Sequence, residues 1–93
     1  MEQYFNEVVN SLSIDDMNVL GILFDSEATA GFKAINNGSV QERSRLSEAT
    51  YRKIIYRLVA NKFVGVVTLK KQHSLYISQY GIEALKTSLE EIS

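Results

Sequence analysis

The chain of 93 residues contains no cysteine and no proline, and its one histidine is His73. Without cysteine no disulfide can staple the fold and no thiolate can hold zinc. A chain this short buries only a modest share of its surface, so association with a second copy is the expected source of further buried area. Without proline no helix or strand is broken by a residue that lacks a backbone donor. A lone histidine cannot build a metal site by itself. The five glycines are scattered, so no phosphate-binding loop is present. Adjacent carboxylates occur only at Asp15-Asp16 and Glu90-Glu91. Neighbouring positions on a helix diverge, which leaves no shared acid–base site. Neither an enzyme nor a cofactor is expected. No apolar run approaches the roughly 20 residues that span a bilayer. The opening Met1-Glu2-Gln3 shows no basic region before an apolar stretch, so a cytoplasmic protein without membrane contact is expected.

What is present is an ordinary globular balance, 45% hydrophobic and 23% charged, with a net charge of -1. The charge is unevenly placed. Between Val40 and His73 stand Arg43, Arg45, Arg52, Lys53, Arg57, Lys62, Lys70 and Lys71, opposed only by Glu42 and Glu48. Elsewhere Lys33 and Lys86 face a clear excess of acids. Such segregation suggests a basic functional face on an acidic body. The plainer alternative is a chance scatter of solvated charge.

Apolar spacing predicts a first helix over Glu2 to Leu12, with Tyr4, Phe5, Val8, Val9 and Leu12 on one stripe. Ser13, with Asp16 three residues on, is an N-cap signature for a second helix, from about Ile14 to Asp25. Its apolar set, Ile14, Met17, Leu20, Ile22, Leu23 and Phe24, covers more than one face and predicts deep burial. A third, shorter helix is expected over Glu27 to Asn36, with Phe32 and Ile35 inward and Asn36-Asn37-Gly38 ending it. Ser39 to Leu46 reads either as a loop or as a further helical turn. Ser47 caps the clearest helix, Glu48 to Asn61. There Tyr51, Ile54, Ile55 and Leu58 share one side, and Glu48, Ala49, Arg52, Lys53 and Tyr56 share the other. The run Phe63 to Leu69 and the alternating Ser74 to Ser78 predict a hairpin around Lys70-Lys71-Gln72-His73. Ser78 caps a last helix, Gln79 to Ile92, with Ile82, Leu85, Leu89 and Ile92 at helical spacing. Tyr51 and Tyr76 are read as core. The class is mainly α with a small β-hairpin (α+β).

At this point the residues resemble a known family. Leu46-Ser47-Glu48-Ala49-Thr50-Tyr51-Arg52-Lys53-Ile54-Ile55-Tyr56-Arg57-Leu58 is similar to the recognition helix of winged helix-turn-helix regulators. Asn61-Lys62-Phe63-Val64 resembles the turn after that helix, with Lys62 where a glycine is usual. Leu75-Tyr76-Ile77-Ser78-Gln79-Tyr80-Gly81 resembles the Tyr-x-Leu-Thr-x-x-Gly that closes the wing. The resemblance is strongest to MarR- and PadR-type regulators and covers Leu46 to Leu89. One departure is the stretch Asn36 to Arg45, longer than the family's tight turn; it either loops out or adds a helical turn.

The resemblance implies a single winged-helix domain over 1–93, a recognition helix at 47–61 and a wing at 64–78. Double-stranded DNA is the implied partner. In this fold the recognition helix enters the major groove with its N-terminal residues on base edges, which here are Ser47, Glu48, Ala49, Arg52 and Lys53. Arg52 is the first candidate for a guanine edge. Glu48 either accepts from cytosine or orients Arg52 at i+4. Ala49 is placed for a thymine methyl, and Tyr56 for a phosphate. Arg43 and Arg45 would neutralise backbone phosphates, and Lys70, Lys71, Gln72 and His73 would reach flanking backbone or minor groove. The stripe on the last helix is either intramolecular core or a dimer seam. The seam is preferred, so the terminal helices 2–12 and 79–92 are read as a homodimer seam built from Tyr4, Phe5, Val8, Leu12, Ile82, Leu85, Leu89 and Ile92. The expected role is a small transcriptional regulator. The rivals are a DNA-binding adaptor for plasmid partition and a winged helix that docks a second protein.

Overall fold

Helix α1 (Ile14–Asp25) begins where the sequence signals it, and the computed structural model, which describes residues 12–69 and 71–92, shows why. The Ser13 hydroxyl accepts from the Asp16 amide at 3.1 Å, while the Asp16 carboxylate accepts from the Ser13 amide at 2.8 Å. This reciprocal capping box satisfies two backbone donors that a helix start otherwise leaves open. Burial then follows Asp16, Val19, Leu20 and Leu23 at three- and four-residue steps. Ile14 lies on the opposite face and is 86% exposed, and Phe24 is also exposed. The deep burial expected of the whole apolar set therefore holds for only one side of the helix.

The segment after α1 departs from expectation. The predicted helix over Glu27 to Asn36 is instead a short 3-10 turn at Gly31–Lys33 followed by strand β1 (Ile35–Asn36). Phe32, expected inward, is 82% exposed. The helix comes later, as α2 (Asn37–Ser44). Asn36 does not end a helix; its side-chain oxygen accepts from the Gly38 amide at 2.7 Å and starts one. Asparagine serves both as an N-cap and as a left-handed terminator, so Asn36-Asn37-Gly38 carries two opposite local meanings. Pairing of β1 with a distant strand selects the first. Arg45, at φ 60, closes α2. Asn18 reaches across to donate to the Ser44 carbonyl at 3.2 Å, which ties the end of α2 to α1.

Helix α3 (Glu48–Ala60) is capped by Ser47, whose hydroxyl accepts from Thr50 N–H at 3.3 Å. It buries Tyr51, Ile54 and Leu58 of the stripe its periodicity predicts, with Ile55 only half-buried. Strands β2 (Val64–Leu69) and β3 (Gln72–Ile77) form the wing, paired from Val64↔Ile77 out to Leu69↔Gln72. β1 adds a short third strand against β3 through Ile35↔Leu75 and Asn36↔Ser74, giving the sheet order β1-β3-β2. Tyr76 lies so close over Gly65 that a Cβ there would stand 2.2 Å from the ring, so only glycine fits without displacing it. Helix α4 (Gln79–Ile92) starts from Ser78, whose hydroxyl accepts from Gly81 N–H at 3.0 Å and donates to the Lys62 carbonyl at 2.7 Å. The order of helices, wing and final helix is that of a winged helix.

At the centre, Asp16 is fully buried. One guanidinium nitrogen of Arg57, on α3, donates to both its oxygens at 2.6 and 2.7 Å. Removing one member of such a pair strands the other charge. Arg57→Met should therefore cost about 3 kcal/mol, the lower end of the usual range because water reaches the guanidinium. Thermal unfolding followed by circular dichroism would show the loss; an unchanged midpoint would mean the pair does not brace the fold.

Tyr51 yields a second expectation. It is buried, and its hydroxyl donates to Asn37 Oδ1 at 2.6 Å, joining α3 to the first turn of α2. Burial pushes this hydroxyl well above the ordinary tyrosine value. A pKa raised in the folded state means the unfolded chain releases that proton first. The Tyr51 contribution is thus fully present below about pH 10 and declines as pH rises beyond it. Melting temperatures from pH 8 to 11 should fall more steeply for the wild type than for Tyr51→Phe; parallel curves would refute the coupling.

Candidate nucleic-acid interface

The outward face of α3 follows from its inward one. With Tyr51, Ile54 and Leu58 buried, the helical period turns Glu48, Ala49, Arg52, Lys53 and Tyr56 to solvent, and all five are exposed. Tyr56 is 78% exposed, unusual for so large a ring unless its surface is needed. Ser47, also exposed, sits at the head of this stripe as the cap. Glu48 and Arg52 form an ion pair of 2.8 Å one turn apart. In water such a pair is worth little for stability. Its effect is geometric: it holds the guanidinium along the helix, toward its N-terminal end.

The two arginines before α3 differ. Arg45 is exposed at the left-handed junction between α2 and α3, two residues before the cap. Arg43 donates to the Ser26 hydroxyl and so lashes α2 to the end of α1. Arg57, one of the eight bases of the basic segment, is committed to Asp16 and does not belong to the free stripe. A lone acid in phase with Val19, Leu20 and Leu23 is the sequence signal that would have announced a cationic partner for Asp16.

At the wing, Lys71, Gln72 and His73 are exposed. Gln72 and His73, expected in the turn, are instead the first residues of β3, opposite Leu69 and Thr68. Gln72 is also not free: its side-chain oxygen accepts from Asn36 Nδ2 at 2.5 Å. The cap of α2 and the wing are thereby joined, and Asn36 enters the site by a contact that no local pattern signals.

The dimer seam expected from the last helix needs correction in part. Ile82 and Leu85 are buried within the single chain, where α4 packs against α1 and β3, so they belong to the core. Leu12 is half-buried against the same core. Tyr4, Phe5, Val8 and Lys70 lie outside the described residues, as do the side chains of Leu89 and Ile92. Among the described residues one open apolar surface is on α1: Ile14, Met17, Gly21 and Phe24, with Leu85 at the floor, line a groove of about 570 Å³ edged by Asp15 and Asp25. Among the described residues no group of three metal-ligating side chains is assembled, and no helix is long and apolar enough to cross a membrane.

No protein-family model matches the chain. It is 42% identical over 89 residues to the DNA-binding protein TubR of Priestia megaterium, an alignment covering 96% of this chain and 88% of that protein. The solved structure of TubR from Bacillus megaterium pBM400 superposes with a TM-score of 0.88 at 41% identity, covering 94% of this chain and 97% of the other. The MepR–DNA complex of S. aureus shares the fold alone, with a TM-score of 0.72 at 11% identity over 98% of this chain and 74% of that one. Identity at this level across nearly the whole length, on the same winged-helix frame, makes the chain a member of the TubR family.

Proposed function

We propose that the protein binds double-stranded DNA as a homodimer, with α3 in the major groove and the wing on flanking backbone or minor groove. The observation that carries this reading is the exposed stripe of Arg52, Lys53 and Tyr56 on the helix that starts three residues after Arg45. The kinship with a protein named for DNA binding supports it. Arg52 takes the base-reading role, since a bidentate arginine–guanine contact discriminates by about 1–3 kcal/mol. The 2.8 Å ion pair favours Glu48 as the residue that orients Arg52 over a direct cytosine contact. Ala49 meets a thymine methyl, Ser47 and Lys53 complete the groove-facing set, and Tyr56 bonds a phosphate. Arg45, Lys70, Lys71 and His73 hold the backbone, while Arg43 and Gln72, engaged by Ser26 and Asn36, would have to leave those partners to join them. This is a binding function without a catalytic step, exercised in the cytoplasm. Transcriptional regulation and plasmid partition both start from it.

The dimer reading draws its support from the α1 groove. An 86% exposed isoleucine beside Met17 and Phe24 is apolar surface that a second copy would remove from water. A two-fold pair would then present two recognition helices to half-sites about one helical turn apart. Ile14→Asp, at a position already exposed, should fold as the wild type yet sediment as a monomer and bind DNA less tightly. Sedimentation of that variant as a dimer would move the seam elsewhere.

The direct test is fluorescence anisotropy of labelled random duplex at several salt concentrations, for the wild type and Arg52→Ala/Lys53→Ala. Neutralised phosphates release counterions, so the wild-type affinity should fall linearly with log salt, and the variant should bind at least ~tenfold more weakly with a shallower slope. Absence of wild-type binding at low salt would end the DNA reading and turn the search to a protein partner.

A further inference from the structure

All five glycines of the chain keep negative φ, while four charged residues hold the left-handed backbone that favours glycine: Glu27 at φ 59, Arg45 at 60, Lys62 at 65 and Lys71 at 65. An L side chain in that region meets its own carbonyl, and glycine does not. Turns of this kind would be more stable with glycine, so whatever selects these side chains is something other than the turn itself. Three of the four are basic, all four are exposed, and none of the three basic side chains has a hydrogen-bond or ion-pair partner among the described residues.

Favourable interaction with the end of a helix dipole is the obvious alternative explanation for a cation at a helix C-terminus. The structure contains its own control. Glu27 and Lys62 occupy the same helix-terminating motif. In α1, Glu27 N–H bonds the Phe24 carbonyl and Ala28 N–H the Leu23 carbonyl, both at 3.0 Å. In α3, Lys62 N–H bonds the Val59 carbonyl and Phe63 N–H the Leu58 carbonyl, again both at 3.0 Å. One motif carries an acid and the other a base, so the helix end does not dictate the sign. Lys71 sits in a hairpin, where there is no helix dipole at all.

What distinguishes the basic three is their place around the DNA-facing elements. Arg45 lies two residues before the Ser47 cap of α3, Lys62 directly follows its C-cap Asn61, and Lys71 is at the wing tip. Helix α3 has 13 residues, which is about 20 Å of helix. The major groove is about 12 Å wide. With its N-terminal residues on base edges, a helix of that length tilted across the groove carries its C-terminal end out over a phosphate strand. The residues just before its cap face the backbone beside the contacted bases.

We propose that Lys62 is a DNA phosphate contact, and that Arg45, Lys62 and Lys71 are three anchors for phosphodiester oxygens kept at positions where the backbone alone would select glycine. The inference rests on the DNA-binding reading above and adds a residue at the far end of the recognition helix to it. Its ligand is the sugar–phosphate backbone, read without regard to sequence.

The experiment compares Lys62→Gly and Glu27→Gly with the wild type, by thermal unfolding and by anisotropy on random duplex across a salt series. Both variants relieve the same backbone strain in the same motif, so both should melt a few degrees higher. Lys62→Gly should also bind about threefold to tenfold more weakly at low salt, with the salt slope reduced by about 0.9, the signature of one lost phosphate contact. Glu27→Gly should not weaken binding. Wild-type affinity and slope in Lys62→Gly would overturn the proposal, as would an equal loss in both variants, because the cause would then be backbone freedom rather than charge. If the wild type itself fails to bind, the DNA reading falls first, and the melting data alone would not restore this one.

Discussion

A carboxylate with no solvent exposure, held by one guanidinium at 2.6 and 2.7 Å, joins the first described helix to α3. Asp16 also caps its own helix through Ser13, so a single side chain fixes where α1 begins and how α3 lies across it. The pair is costly to desolvate, and two apolar residues of similar volume would brace the helices as well or better. What an apolar pair lacks is direction. A guanidinium meeting a capped carboxylate end-on tolerates few rotations of α3, and rotation of α3 decides which residues form its outer stripe. The Tyr51–Asn37 bond and the Asn18 bond to the end of α2 fix the other sides of the same frame.

Much of that frame is written in local signals. Ser13 and Asp16 mark the start of α1, Ser47 marks α3, and Ser78 marks α4; each is an N-cap that acts within three or four residues. The amphipathic division of α3 is legible for the same reason, because burial of Tyr51, Ile54 and Leu58 and exposure of Arg52, Lys53 and Tyr56 follow from one period. The stretch from Glu27 to Ser44 was not legible. Ile35 and Asn36 become a strand only because Leu75 and Ser74, forty positions on, offer a sheet edge. The helix expected before Asn36 therefore lies after it, and what looked like an overlong turn is the first helix of the motif.

The candidate interface divides along the same line. Its outer stripe could be read from spacing, but the engagement of individual side chains could not. Arg57 carries a charge that composition assigns to the basic face and that geometry assigns to Asp16. Arg43 is occupied by Ser26, and Gln72 by Asn36. Ile82 and Leu85 have the spacing of a seam and the burial of a core, because amphipathic periodicity says that a helix face is covered without saying by what.

The wing illustrates how this small frame leaves room for change. It is three strands wide only at its middle, where β1 meets β3 at Leu75 and Ser74, while at its base the Ile77 amide is held by the Ala28 carbonyl at 2.7 Å. Toward the tip the hairpin runs on as two strands through Thr68↔His73 and Leu69↔Gln72. Since successive strand residues alternate faces, adding or deleting two residues on each strand keeps every inward side chain inward. The core ends before that point is reached. Descendants of this chain can therefore vary the reach of the wing in paired steps while the buried frame stays as it is, so the length of the footprint and the identity of the fold are free to evolve separately.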